Sequence, residues 1–85
     1  MEKYKVLIKP SAVKELGDIP KRDLQNLTKR ISALADNPRP FGVEKLSGQE
    51  RYRLRQGNYR IVYGIDDSQK MIEVVMVAHR REVYR

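Results

Sequence analysis

The 85-residue sequence contains no cysteine and a single histidine, His79. Lack of cysteine removes disulfides, thiolate nucleophiles and cysteine-ligated metal sites together. One histidine cannot build a His-rich metal site. No apolar run approaches the roughly 18 residues that a transmembrane helix needs. The opening MEKYKVLIKP lacks the long apolar core of a signal peptide. No amphipathic stretch carries the broad aromatic face that would favour a membrane surface. Internal repeats, linkers, phosphate-cradling glycine loops, a Ser-His-Asp order and paired carboxylates are also missing. Asp and Glu are outnumbered 11 to 18 by Lys and Arg, which leaves a net charge of +7. These absences point to a cytoplasmic protein of one domain, residues 1–85, with no metal and no membrane contact. Its positive charge suits nucleic acid or an acidic protein partner.

What is present is concentrated in RYRLRQGNYRIVY, residues Arg51–Tyr63. Arg51, Arg53 and Arg55 alternate with Tyr52 and Leu54, and a second run starts at Tyr59. Alternation on both sides of a Gly-Asn pair predicts a β-hairpin. Gly57 supplies the positive φ that a two-residue hairpin turn requires, and Asn58 tolerates it. In that register Arg55 opposes Arg60, Leu54 opposes Ile61, Arg53 opposes Val62 and Tyr52 opposes Tyr63. Opposed residues share a face. One face therefore holds Tyr52, Leu54, Tyr59, Ile61 and Tyr63, and the other holds Arg51, Arg53, Arg55 and Arg60. Like charges opposed across strands are unfavourable, so the arginine face reads as built for an anion. A solvated basic face is the blander alternative.

Around the hairpin, Lys3–Lys9 reads as a first strand. Ser11–Leu16 reads as a short helix with Val13 and Leu16 inward. A longer helix opens at Pro20 and runs to Asp36, with Leu24, Leu27, Ile31 and Leu34 forming one apolar stripe. The basic residues Lys21, Arg22, Lys29 and Arg30 then form a solvated helix face. Pro38–Gln49 reads as a loop pinned to the core by Phe41, Val43 and Leu46. Asp66-Asp67-Ser68 is a turn. The apolar run Lys70–Ala78 predicts a central strand covered on both faces. The fold expected is α+β, a small antiparallel sheet in the order β-α-α-β-β-β, with both N-terminal helices on one face and the arginines on the other. The first strand should join at the sheet edge or beside the last strand.

The terminal HRREVYR follows that last strand, so His79, Arg80 and Tyr84 are expected to converge on the arginine face. Such a set has a coherent use in RNA cleavage. Guanidiniums bind phosphate oxygens bidentately and keep their charge. Histidine titrates near neutrality. A tyrosine stacks on a base or donates its hydroxyl.

The blocks YRLRQGNYRIVY and VAHRREVY, with a looser proline-to-glycine loop from Pro40 to Gly48, resemble the RelE/ParE superfamily of type II toxins, and the RelE branch in particular. The resemblance implies a toxin that enters the ribosomal decoding site. There it cuts the mRNA codon by 2′-hydroxyl attack, without metal or other cofactor. It also implies a RelB-like antitoxin, and operator DNA contacted only through the toxin–antitoxin complex. By motif match, Arg51, Arg53, Arg60, Arg80 and Tyr84 fall on active-site positions, and His79 is a further catalytic candidate. Arg55 and Arg81 are assigned to RNA binding. Family members commonly carry lysines where Arg51 and Arg53 stand. Arginine is a poor base, its pKa lying above about 12, so the general base stays open. The alternatives are a ParE-type inhibitor of DNA gyrase and a non-catalytic nucleic-acid-binding module. Arg53 and Arg60 are both expected on an open face, where alanine would leave the fold intact.

Overall fold

The computed structural model describes residues 3–46 and 50–79. Its elements are β1 (Lys5–Ile8), α1 (Pro10–Gly17), α2 (Lys21–Ala33), β2 (Glu44–Lys45), β3 (Arg51–Gln56), β4 (Tyr59–Asp66) and β5 (Met71–His79). The strands form one sheet in the order β1-β5-β4-β3-β2. The α+β class, the two helices on one face and the place of β1 beside the last strand are as the sequence implies. Two features go further. β1 runs parallel to β5, so the sheet is mixed. The expected loop contains β2, which pairs antiparallel with β3 through Glu44↔Arg53 and Lys45↔Tyr52.

The hairpin register follows the alternation pattern, with Tyr52↔Tyr63, Arg53↔Val62, Leu54↔Ile61 and Arg55↔Arg60. Gly57 sits at φ 59°, the left-handed conformation its turn demands. Ala12, Leu27, Ile31 and Leu34 from the helical side pack on Tyr52, Leu54, Ile61, Tyr63, Ile72, Val74 and Val77 of the sheet. In α1 the buried residue is Ala12, whereas Val13 is 54% exposed. Ala12 and Leu16, four apart, share the face that meets the sheet. Within α2, Leu27 and Ile31 are buried as expected. The helix ends at Ala33, because Leu34, Ala35 and Asp36 donate to carbonyls three residues back and tighten the last turn.

β5 lies between β1 and β4, and it is covered on one face only. A bulge inserts Val75 where the register passes from Val62↔Met76 to Tyr63↔Val74. Ile72, Val74 and Val77 point to the helices, while Glu73 and Met76 are exposed on the other face. The bulge explains why the apolar run does not alternate. Beyond Val74, β1 gives β5 no further partner, and the Val77 N–H instead donates to Glu15 Oε1 at 3.0 Å. No helix among the described residues is long and apolar enough to cross a membrane.

At the other end of the sheet, polar contacts tie the segment after α2 to the β4–β5 turn. Arg39 Nη2 and Nη1 donate to the two Asp67 oxygens at 2.9 and 3.3 Å. The Tyr4 hydroxyl donates to the same carboxylate. Arg39 Nε donates to the Tyr52 hydroxyl at 3.3 Å, and the guanidinium lies 5.3 Å from that ring's centroid. Tyr52 and Tyr63 stack at 5.9 Å, and the Tyr63 hydroxyl donates to the Pro38 carbonyl at 2.7 Å. These tyrosines and Val43 anchor the loop. Phe41, expected to help, is fully exposed. Burial pushes Tyr63 up to about 12, so its hydroxyl remains a donor throughout the neutral range.

Two outcomes follow. Removing the Tyr63 hydroxyl in Tyr63→Phe leaves the Pro38 carbonyl short of a donor and should cost about 1 kcal/mol in urea unfolding. An unchanged midpoint would show that water replaces the contact. The Arg39 and Tyr4 hydrogen bonds hold Asp67 down to about 2, against an ordinary 3.8. A depressed carboxylate pKa contributes stability that is full above the unfolded value and is lost as pH falls through the folded one. Between pH 5 and 2, Asp67→Asn should therefore show a shallower loss of stability than the parent; parallel curves would remove Asp67 from the acid response.

Candidate functional site

The exposed face of the hairpin does not present four equivalent arginines. Arg55 is exposed and Arg51 and Arg53 are half-buried, but Arg60 is only 5% exposed. Arg60 is flanked in register by Arg55 on β3 and Ala78 on β5. The open, solvent-side position expected for Arg60 is therefore corrected. Arg53, Arg55 and Arg60 line a cavity of about 240 Å³ with Glu44. Glu44 stands directly opposite Arg53 on β2, and its Oε1 lies 3.3 Å from Arg53 Nη2. Among the described residues, three guanidiniums and one carboxylate line that cavity, so positive charge predominates in its lining. Partial enclosure strengthens it relative to open solvent, and the guanidinium forks suit the oxygens of a phosphate.

Arg51 belongs to a different place. It opposes Gly64, and a Cβ on Gly64 would come within 2.7 Å of Arg51 Nη1. The guanidinium thus lies over the bare backbone of β4. It lines a second cavity of about 330 Å³ beside Glu73, Leu7 and Met71.

A family model for the ParE toxin of type II toxin–antitoxin systems matches residues 6–84. The chain belongs to the RelE/ParE superfamily of type II toxins. The toxin RelE of Mycobacterium tuberculosis is 35% identical over 74 residues, 75% of this chain and 76% of that protein. The RelE–RelB complex of Pyrococcus horikoshii contains a chain that superposes with a TM-score of 0.83 at 31% identity, covering 92% of this chain and 96% of that one. The isolated RelE toxin of Escherichia coli gives a TM-score of 0.79 at 27% identity, covering 95% and 90%. This is a toxin of the RelE family.

The RelE-type fold separates the candidates drawn from the sequence. Arg53, Arg55 and Arg60 come together, and Arg51 is their neighbour along β3. His79 does not join them. It pairs with Tyr59, on the face that meets the helices, and the two rings meet edge-on at 5.4 Å. It lines a pocket with Glu15, Asp18 and Val77. The bulge at Val75 is the cause, because one extra residue reverses the side to which every later β5 residue points. Arg80, Arg81 and Tyr84 lie outside the described residues.

Sequence reasoning missed Glu44, because a two-residue strand inside a proline-rich segment has no periodicity to detect. It also missed Gly64. There a signal existed: glycine within the β-branched, aromatic run YRIVYGID marks a close approach to the backbone.

Arg53 and Arg60 should respond differently to truncation. Arg53→Ala removes a half-exposed side chain and should shift unfolding by about 0.5 kcal/mol or less. Arg60→Ala removes a buried stem, which outweighs relief of the Arg55–Arg60 repulsion and should cost about 1–2 kcal/mol. Equal urea midpoints for the two variants would refute this difference in packing.

Proposed function

We propose that this toxin is a ribosome-dependent mRNA endoribonuclease that cuts A-site codons and so stops translation. The cavity formed by Arg53, Arg55 and Arg60 carries the proposal, since its chemistry suits a scissile phosphate. Cleavage transfers the proton of the 2′-hydroxyl to a base. A bond forms from the 2′-oxygen to phosphorus, and the bond to the 5′-oxygen breaks. The products are a 2′,3′-cyclic phosphate and a 5′-hydroxyl. Negative charge grows on the phosphoryl oxygens, and fixed guanidiniums stabilise it without needing to reorganise. Glu44 is the carboxylate of this cavity and the side chain there suited to accept the 2′-proton, a task for which the arginines are unfit. Its ion pair with Arg53 would hold it in place. Arg80 and Tyr84 enter through their match to the family motif, as a phosphate contact and a base-stacking or proton-donating group. Arg55 and Arg81 steer RNA. Chemistry is not placed on His79, which faces the helices.

The RelE of Pyrococcus horikoshii was crystallised with RelB, and a RelB-like antitoxin is the partner proposed for this chain. Operator DNA would be contacted through that complex. Work on the ribosome places the toxin in the cytoplasm. The matching family model carries the name of ParE, which keeps gyrase inhibition as a second reading. The RelE relatives and the filled arginine positions favour the first.

Mapping new 5′ ends in a purified translation system separates these readings. The parent toxin should cut within codons only when ribosomes are present. Arg53→Ala and Glu44→Gln should each slow cutting by about a hundredfold. Intact mRNA together with trapped gyrase–DNA complexes would establish the ParE reading. RNA binding without cleavage would leave a plain binding module.

A further inference from the structure

One row of the sheet crosses four strands on the open face. Leu7 on β1 opposes Glu73 on β5, Glu73 opposes Gly64 on β4, and Gly64 opposes Arg51 on β3. Glycine at the third position leaves a gap above β4 that the Arg51 guanidinium partly fills from one side, with Glu73 on the other. With strands about 4.8 Å apart, the backbones of Arg51 and Glu73 lie about 10 Å from each other across it. Arg51 lies over Gly64, yet among the described residues neither Arg51 nor Glu73 enters an ion pair. The gap forms part of the cavity of about 330 Å³, whose apolar side is Leu7 and Met71. Leu7 is 39% exposed there.

We infer that this slot receives one nucleobase of the RNA substrate, next to the scissile phosphate. The inference rests on the nuclease reading above. A phosphate would be repelled by Glu73 and gains nothing from Leu7 and Met71. A base fits all three features. Its flat ring stacks on a guanidinium plane, as unpaired RNA bases do on arginine. Its edge carries donors for the Glu73 carboxylate. Its other face lies on the apolar side chains. The geometry of β3 links the two cavities: Arg51 in the slot and Arg53 in the phosphate cavity are two residues apart, about 7 Å along the strand. RNA held by its phosphate at Arg53, Arg55 and Arg60 therefore has a base beside Gly64. Glu73 is then a specificity-determining residue, and Arg51 recognises a base as well as adding positive charge.

The test maps cleavage across a randomised mRNA pool in the purified translation system, comparing the parent toxin with Glu73→Gln and Gly64→Val. Thermal midpoints confirm that each variant is folded. Glu73 is exposed, so Glu73→Gln should fold normally. An amide donates as well as accepts, so Glu73→Gln should change the base preference at one position beside the cut by about tenfold. Gly64→Val should fill the slot and flatten the preference at that same position. Folded variants that cut with the parental preference would overturn the inference while leaving the nuclease reading intact. The same holds if they alter only binding of the antitoxin, which would make the slot a protein contact. If the parent toxin cuts nothing, both proposals fall together.

Discussion

The β3–β4 register is the constraint on which the rest depends. A two-residue turn at Gly57-Asn58 makes Leu54 oppose Ile61 and Tyr52 oppose Tyr63. Those four side chains are all buried against the helices. Each fully buried side chain of this size contributes about 1.5–3 kcal/mol. A slip of one residue would expose all four and bury arginines instead. Against that, opposing Arg55 to Arg60 costs at most about 1 kcal/mol. The apolar face therefore sets the register, and the arginines accept whatever side remains. The site is a by-product of the core's parity, held as firmly as the core itself.

The sheet's two ends are secured differently. At the end near the β4–β5 turn, Arg39 bridges Asp67 and Tyr52, and Tyr63 reaches the Pro38 carbonyl. This fixes the segment that delivers β2, and hence Glu44, alongside Arg53. A carboxylate is thereby brought to the arginines by contacts made on the opposite side of the hairpin. At the other end, Glu15 takes the Val77 N–H left over where β1 stops. Each arrangement satisfies backbone or tyrosine groups that would otherwise be buried without partners.

What was legible in the sequence is what strict periodicity encodes. The hairpin, the inward stripe of α2 and the segregation of Tyr52 and Leu54 from Arg51, Arg53 and Arg55 all follow from periods of two or of three and four. Irregularity was not legible. The bulge at Val75 leaves a continuous apolar run, and strict alternation from Ile72 and Val74 would have sent His79 to the arginine face. Ala12 rather than Val13 meets the sheet, because helix phase depends on where α1 lands and not on which residue is larger. Phe41 is exposed although its composition suggested an anchor. Three tyrosine hydroxyls and Arg39 anchor that region, and such polar contacts have no sequence period. Glu44 could not be placed beside Arg53 until β2 was seen to pair.

The arginine cavity also gathers like charges on one face of the sheet. Arg55 and Arg60 are opposed, Arg60 is buried, and Glu44 pairs with Arg53 beside them. The helix-side core holds those charges together, since separating them means breaking the Leu54–Ile61 and Tyr52–Tyr63 pairings behind them. On the nuclease reading, a phosphate entering the cavity would meet guanidiniums whose spacing the β3–β4 register already sets. Preorganisation of this kind favours the state with most charge on the phosphoryl oxygens over the ground state. On the nuclease reading proposed above, the charge arrangement that weakens the isolated hairpin would be the one that favours a transition state.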